Sequence, residues 1–346
     1  MLLFLLLSIF VLCLYRVKII PIGFNDDYLS KDCTNSVKGL FILLVVLSHS
    51  LQYIKRSPYA FDEFGDIPFL FFLSSLSQLV VVMFLFYSGY GVGESFKSKG
   101  ETYVNKMPRH RILGTLLNFD VAVIIFIALC VLLGISVSLR QCLLSFIGWE
   151  SVGNSNWYIF VIILCYLMTF LCLRLPIENT TYRVGLLFGL CTMCIVFLSA
   201  FKDDYWYNTI LCYPLGFLYS SYKDKVEVYL KRNYVKCALG IIICFILFYV
   251  LKHFLNDKLQ LSYNLMSMAF VLMLIVVTFK VRVDNPPLRW IGSHLFPIYI
   301  YMRLPMIFME ENTPELISAT PGLFIVISLV VTLCIAHVYR YFRIDL

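Results

Sequence analysis

Lys38 and His49 stand eleven positions apart in an otherwise apolar run, Lys38-Gly-Leu-Phe-Ile-Leu-Leu-Val-Val-Leu-Ser-His49. At about 100° per residue this is close to three turns of helix, so both residues fall on one stripe. At about 1.5 Å per residue, His49 lies roughly 16 Å beyond Lys38. That is the middle of a hydrocarbon layer about 30 Å thick, where an ionisable side chain is costly and marks a functional site by default. A neutral imidazole can take a proton from a hydroxyl, so His49 is the candidate general base. Ser48 and Ser50 flank it and are expected to make a local polar pocket. The plainer role for such a histidine is a hydrogen bond to a neighbouring helix. Lys38 is either an interfacial anchor or a charge that steers an anionic substrate along the same groove.

Other stretches carry further candidates. Phe86-Tyr-Ser88-Gly-Tyr-Gly-Val-Gly-Glu94 contains a G-x-x-x-G at Gly89 and Gly93. Close helix packing is the ordinary reading of that spacing, and close approach of backbone to a ligand is the functional one. Glu94 lies at the end of its span, where an acid is tolerable. A basic loop follows, with Lys97, Lys99, Lys106, Arg109, His110 and Arg111. Arginine forks suit phosphate oxygens, so Lys106, Arg109 and Arg111, with Lys38, form the candidate anion site. Asp120, roughly two and a half turns further on, needs a cationic mate within the apolar layer. Asn154, Asn156, Trp157 and Tyr158 open another apolar run. The aromatics fit an interfacial belt, and the amides offer hydrogen bonds of the kind sugar hydroxyls use. A late stretch holds His294, Pro297, Arg303 and Pro305. Two prolines kink a helix and free its carbonyls. An unpaired Arg303 deep in lipid would cost roughly 2.5–3.5 kcal/mol or more. Its mate is either Asp120 or a substrate.

The elements that must position these residues follow from composition. The chain has 346 residues, of which 60% are hydrophobic and only 14% charged. A soluble domain is nearer about 25% charged, so the expected class is an all-α polytopic transmembrane bundle. Eleven apolar runs are expected as spans, near 1–20, 37–54, 68–92, 112–134, 156–174, 184–200, 206–221, 236–254, 263–280, 288–309 and 320–339. The first is read as an extra helix with its connector, residues 1–30, in front of a domain over 31–346. It lacks the basic flank and small-residue cleavage site of a signal peptide. With the N-terminus outside, the outer loops hold only Lys55, Arg56, Arg140, Lys202, Lys252 and Lys258. Apart from Arg303, the remaining lysines and arginines fall on inner segments, the C-terminus included. The net charge of +7 is therefore a topology signal and calls for no nucleic acid. Most of the twelve cysteines lie in apolar runs and read as small hydrophobes, with no disulfide framework and no metal site expected. No loop has room for a soluble catalytic domain, so any chemistry belongs within the bundle.

Four stretches, taken in order, resemble the integral-membrane acyltransferase family 3, whose members acylate surface sugars. They are Lys38 to His49; Phe86-Tyr-Ser-Gly-Tyr-Gly with Arg109-His-Arg-Ile-Leu-Gly114; Asn156-Trp-Tyr-Ile-Phe-Val; and Ile291-Gly-Ser-His-Leu-Phe-Pro-Ile-Tyr-Ile. Together they cover residues 31–340. The resemblance implies an essential histidine at His49 and a docking site for acyl-coenzyme A around Arg111. Its R-x-x-R pattern ends here in Gly114, and the late segment has Arg303 where the family often has histidine. The family commonly has ten spans, and this chain adds one.

On that resemblance the expected activity is O-acyl transfer from cytoplasmic acyl-CoA to a saccharide or glycolipid hydroxyl at a bacterial inner membrane. Acetyl-CoA stands ahead of succinyl-CoA as the co-substrate, and no bound cofactor is expected. Lys38, Lys106, Arg109 and Arg111 would take the donor. Ser88, Glu94, Asp120, Asn156, Trp157 and Arg303 would line the acceptor side or the cavity. His49 would act as base or acyl carrier. The competing reading is a polysaccharide exporter or flippase that breaks no bond.

Overall fold

The computed structural model describes residues 2–62, 64–255 and 261–346. Lys258, counted above among the outer basic residues, lies outside them. The first half of the chain folds into α1 (Leu2–Leu14), β1 (Val17–Ile19), α2 (Lys31–Arg56), α3 (Ile67–Leu76), α4 (Leu79–Lys99), α5 (Glu101–Met107), α6 (Gly114–Leu132) and α7 (Leu139–Ser145). There follow α8 (Trp157–Arg174), α9 (Thr180–Ser199), α10 (Cys212–Lys231), α11 (Tyr234–Val250), α12 (Ser262–Thr278) and β2 (Val281–Val283). The chain closes with α13 (Pro286–Ser293), α14 (Leu295–Tyr301), α15 (Arg303–Asn312), α16 (Pro314–Ala319) and α17 (Pro321–Val338). The architecture is the expected all-α bundle. Backbone polar groups in lipid must be satisfied within the segment, and a helix does this.

Among the described residues, seven helical stretches are long and apolar enough to cross a membrane. All eleven expected runs fall on helix, but four depart from a simple span. The first stops at Leu14, and thirteen residues reach only about 20 Å. Beyond it Val17–Ile19 pairs antiparallel with Val281–Val283, with Lys18 opposite Arg282. Asn285 ties this corner together. Its Nδ2 donates to the carbonyls of Leu12, at 2.6 Å, and Tyr15, at 3.1 Å, closing the C-terminal end of α1. Its Oδ1 accepts from the Leu288 amide and caps α13. Residues 2–30 are thus stitched to the rest, with Leu2 and Leu6 buried. The expected run 206–221 falls at the head of α10, whose other end is charged. The run 263–280 contains α12, which is seventeen residues long. The run 288–309 is broken into three helices at His294 and Met302, each three residues ahead of a proline. Pro297 and Pro305 have no N–H to offer the carbonyl four residues back, so the helix cannot pass through them unbroken. The basic stretch after α4 is also not a loop. Gly100, with φ of +53°, turns the chain, and α5, a π-helical turn over Pro108–Leu113 and α6 then run on as one rod.

The centre of the bundle is α2, buried along nearly its whole apolar stretch from Phe41 to Leu47. Two close crossings hold it in place. Gly39 of α2 lies against the Leu288 carbonyl, and Gly292 of α13 lies against the Asn35 carbonyl. In the same way Gly89 of α4 meets the Tyr213 carbonyl while Gly216 of α10 meets that of Phe86. Each crossing is reciprocal, and any Cβ would strike backbone. The G-x-x-x-G is therefore a packing device, with Gly93 seated against Ser220.

The connecting segments sort into two sets. At one end Lys231 pairs with Asp26 at 2.9 Å, Arg282 with Asp27 at 3.5 Å, and Arg289 with Asp32 and Asp284, each at 2.8 Å. The Thr181 and Tyr222 hydroxyls, 2.7 Å apart, join two more segments of the basic set. At the other end Arg56 pairs with Glu310 at 2.9 Å, and Lys202 donates to the Trp149 carbonyl at 2.6 Å. The basic-rich segments expected on one side are gathered together, and the basic-poor ones oppose them.

Candidate active site

His49 is carried at mid-bundle by α2. That helix starts cleanly because the Ser30 hydroxyl accepts from the Cys33 amide and Asp32 sits in its first turn. The imidazole lines a cavity of about 540 Å³ near the basic-poor end. From α2 this cavity takes Ser48, His49, Gln52 and, at its exposed mouth, Lys55. Ser50 does not join them. Its hydroxyl turns back to the Val46 carbonyl at 3.0 Å, so only one of the two flanking serines is part of the pocket.

The opposite wall comes from the loop before α8. Gly153, with φ of +102°, adopts a conformation that disfavours a side chain. Around it the Val152 amide donates to Asn154 Oδ1 at 3.1 Å, and the Ser151 hydroxyl donates to the Asn154 carbonyl at 2.7 Å. This fold of the loop brings Asn154, Ser155, Asn156 and Trp157 onto the cavity. Asn156 is committed elsewhere, because its Nδ2 donates to the carbonyls of Gly148, at 2.8 Å, and Glu150, at 3.0 Å. Its amide donor holds the loop rather than offering itself to a ligand. Trp157 opens α8 beside Tyr205, the two rings 6.2 Å apart.

The kinked run supplies Tyr299 and Arg303. The break at Met302 starts a new helix at Arg303. Arg303 Nε donates to the Tyr53 hydroxyl at 3.3 Å, and its guanidinium lies 5.7 Å from that ring's centre. Among the described residues it makes no ion pair; Asp120, one mate considered for it, is not its partner and does not line the cavity.

Among the described residues, five buried polar atoms on this cavity have no hydrogen-bond partner: His49 Nδ1, Gln78 Oε1, Asn154 Nδ2, Ser155 Oγ and Tyr299 Oη. Leaving such a group unsatisfied costs about 1–3 kcal/mol. Their convergence marks a polar binding site. Gln52, Gln78, Ser155 and Tyr299 were not singled out from the sequence. Gln52 could have been, since it lies one turn from His49 on the same face. Gln78 and Tyr299 come from distant segments and carry no local signal.

A second cavity, about 990 Å³, opens at the basic-rich end. Lys106 and Arg111 line it as expected of a donor site, and Arg111 lies over the Tyr166 ring at 5.9 Å. Arg109 and Lys38 do not line it. Arg109 is two positions from Arg111, and residues so spaced on a helix point to nearly opposite sides. Lys38 lies next to Gly39, in the tight crossing with α13. Lys99, Arg340 and Arg343 were not expected there, and they add three cations, one of which, Arg343, is paired with Asp345 on the same wall. Gly114, where the resembled pattern lacks a basic residue, faces the same cavity as Arg340 and Arg343. The C-terminal segment reaches it because Asn118 exchanges hydrogen bonds with the backbone of Ile344, at 2.8 and 3.0 Å, and accepts from the Tyr339 hydroxyl at 2.7 Å.

Ser88, Glu94 and Asp120 line neither of these two cavities. Glu94 accepts from the Ser220 hydroxyl at 2.7 Å and pairs with Lys97 at 3.0 Å, which binds α4 to α10. Between the cavities runs α8. Its first turn carries Trp157 and Tyr158, with Tyr158 against Tyr299 at 5.2 Å, and Tyr166 stands two turns further in beside Arg111. All twelve cysteines are free.

Compared with models of known protein families, residues 33–340 match the one described as an acyltransferase domain. No curated protein and no solved structure matches the chain.

Proposed function

Since the chain belongs to acyltransferase family 3 and is an integral-membrane acyltransferase, we propose that it moves an acyl group, acetyl foremost, from cytoplasmic acyl-CoA to a hydroxyl of a cell-surface or lipid-linked saccharide. The observation that carries this reading is the position of His49, on a cavity where five unsatisfied polar atoms converge. A ligand rich in hydroxyls would satisfy such a set, and a lipid chain would not. The basic-rich end is assigned to the cytoplasm by the positive-inside rule, which sets the C-terminus there also.

The phosphates of the donor would rest on Lys106, Arg111 and Arg340, where guanidinium forks match phosphate oxygens, while the Arg343 fork is taken by Asp345. The neutral arm of the donor would pass along α8, by Tyr166 and Tyr158, to bring its thioester to His49. The acceptor would enter from the other end, past Trp157 and Lys55. His49 would take the proton of the acceptor hydroxyl as its oxygen attacks the thioester carbon. The C–S bond then breaks, and the proton returns to the departing thiolate. The alternative is that the imidazole carries the acyl group and passes it on in a second step. Export without bond chemistry has no observation in its favour that transfer lacks.

The test uses the purified full chain in lipid nanodiscs with radiolabelled acetyl-CoA and saccharide acceptors. Transfer of label to the saccharide, abolished in His49→Ala while the protein stays folded in the bilayer, supports the reading. Undiminished transfer in that variant removes it. Mass spectrometry of the surface glycans of cells with and without the gene identifies the acyl group. A polymer that is present but lacks acyl groups points to transfer, and a polymer missing from the surface points to export.

A further inference from the structure

We infer that the His49 cavity receives a substrate bearing a carboxylate, and that Arg303 holds it. The inference rests on the acyl-transfer reading for the site's purpose but not for its charge. Among the described residues no aspartate or glutamate lines the cavity, whereas Arg303 and Lys55 both do. The rest of the wall mixes neutral polar side chains with apolar ones such as Val45, Leu73 and Val81, and α8 starts on it with the positive end of its dipole.

Arg303 is the decisive residue. Its Nε donates to the Tyr53 hydroxyl, and the Tyr53 ring lies beneath the guanidinium. One edge of the group is therefore fixed, and among the described residues neither terminal nitrogen has a protein partner, so both remain for a ligand. Glu310, two turns along on the same helix, is held by Arg56 at 2.9 Å and does not line the cavity. Arg303 is part-exposed on the cavity, beside Tyr53 at the same end as the exposed Lys55 and Arg56. Serine, asparagine and glutamine on the wall already suffice for the hydroxyls of a neutral sugar. A carboxylate uses what only the guanidinium offers, because it meets the fork with two parallel hydrogen bonds. The cavity's 540 Å³ falls in the usual range for small-ligand sites, about 300–1,000 Å³, and admits a sugar ring with an acidic substituent.

The carboxylate has two chemical sources. It belongs either to an acidic sugar of the acceptor or to a dicarboxylic acyl group on the donor. Binding to the full chain in nanodiscs separates them with two matched pairs of probes. Glucuronate against glucose reports an acidic acceptor. Succinamate against its neutral isostere succinamide reports an acidic acyl group. A hydrogen bond to a charged group is worth about 1.5–3 kcal/mol. The wild type should therefore bind the acidic member of one pair tenfold or more tightly than the neutral member, as about 1.4 kcal/mol is tenfold. Arg303→Gln should bring that ratio near one. Arg303→Lys should keep part of it, retaining the charge but not the fork, and it serves also if Arg303→Gln fails to fold.

Equal binding within both pairs, detectable or not, overturns the inference, and so does a preference that survives in Arg303→Gln. A preference for the acidic probe without transfer from acetyl-CoA would leave this inference standing and remove the enzymatic reading. Transfer without any preference would do the reverse.

Discussion

His49 combines depth in the bundle, an unpartnered Nδ1 and a place on a polar cavity. A general base contributes roughly 10²–10⁴-fold. Thus His49→Ala should lower kcat by that order and leave KM for the donor nearly unchanged, as steady-state assay of acyl transfer will show. At the donor cavity, removing one phosphate contact costs about 1.5–3 kcal/mol. Arg111→Ala and Arg340→Ala should each raise KM for acyl-CoA by tenfold or more. Neither should change KM for acyl-pantetheine, which lacks the nucleotide phosphates. Arg109→Ala should change neither, because its side chain points away from the cavity. Equal effects of all three substitutions would show that general positive charge, not the cavity, attracts the donor. The sequence singled out Lys106 and Arg111 but not Arg340 or Arg343. Nothing in the C-terminal residues themselves says that they fold back beside Gly114.

The helices set these side chains by close crossings and planned breaks. Gly89 and Gly216 let α4 and α10 touch through backbone. Gly89→Val would drive a side chain into the Tyr213 carbonyl, an overpacking that costs about 1–3 kcal/mol or more. The variant should unfold at a lower temperature in a scan of the detergent-solubilised protein, whereas Gly91→Ala, with open space around it, should not. Asn285 caps two helices at once. Its replacement by alanine leaves those groups unsatisfied, for a loss of roughly 1–3 kcal/mol. The prolines were legible as helix breakers, and the breaks fall three residues before each. The register that turns Arg303 toward Tyr53 was not legible, because it depends on how far each break rotates the next helix.

The molecule as a whole has two ends of different character, a basic-rich one holding the larger cavity and a basic-poor one opening to His49. Cysteines introduced as Lys55→Cys and Lys106→Cys, in a background whose native cysteines are replaced, will report which end is which. A membrane-impermeant thiol reagent applied to intact cells should label the first and reach the second only after permeabilisation. The opposite pattern would invert the orientation and with it the direction of donor entry.

Composition and pattern alone determined the class of solvent, the helical architecture and which connecting segments share an end. Each depends on a sum over many residues: apolar runs long enough to span lipid, and a charge bias spread over the loops. His49 was legible for the same reason, since an imidazole in the middle of such a run stands out without any knowledge of its neighbours. Tertiary structure alone decided what faces what. It put Asn156 to work on a loop and Glu94 on a helix contact, left Arg303 without Asp120, and joined Gln52, Gln78, Ser155 and Tyr299 around the imidazole. Those are matters of rotation and register between segments far apart in the chain, fixed by packing at glycine crossings and proline breaks, and no local pattern encodes them.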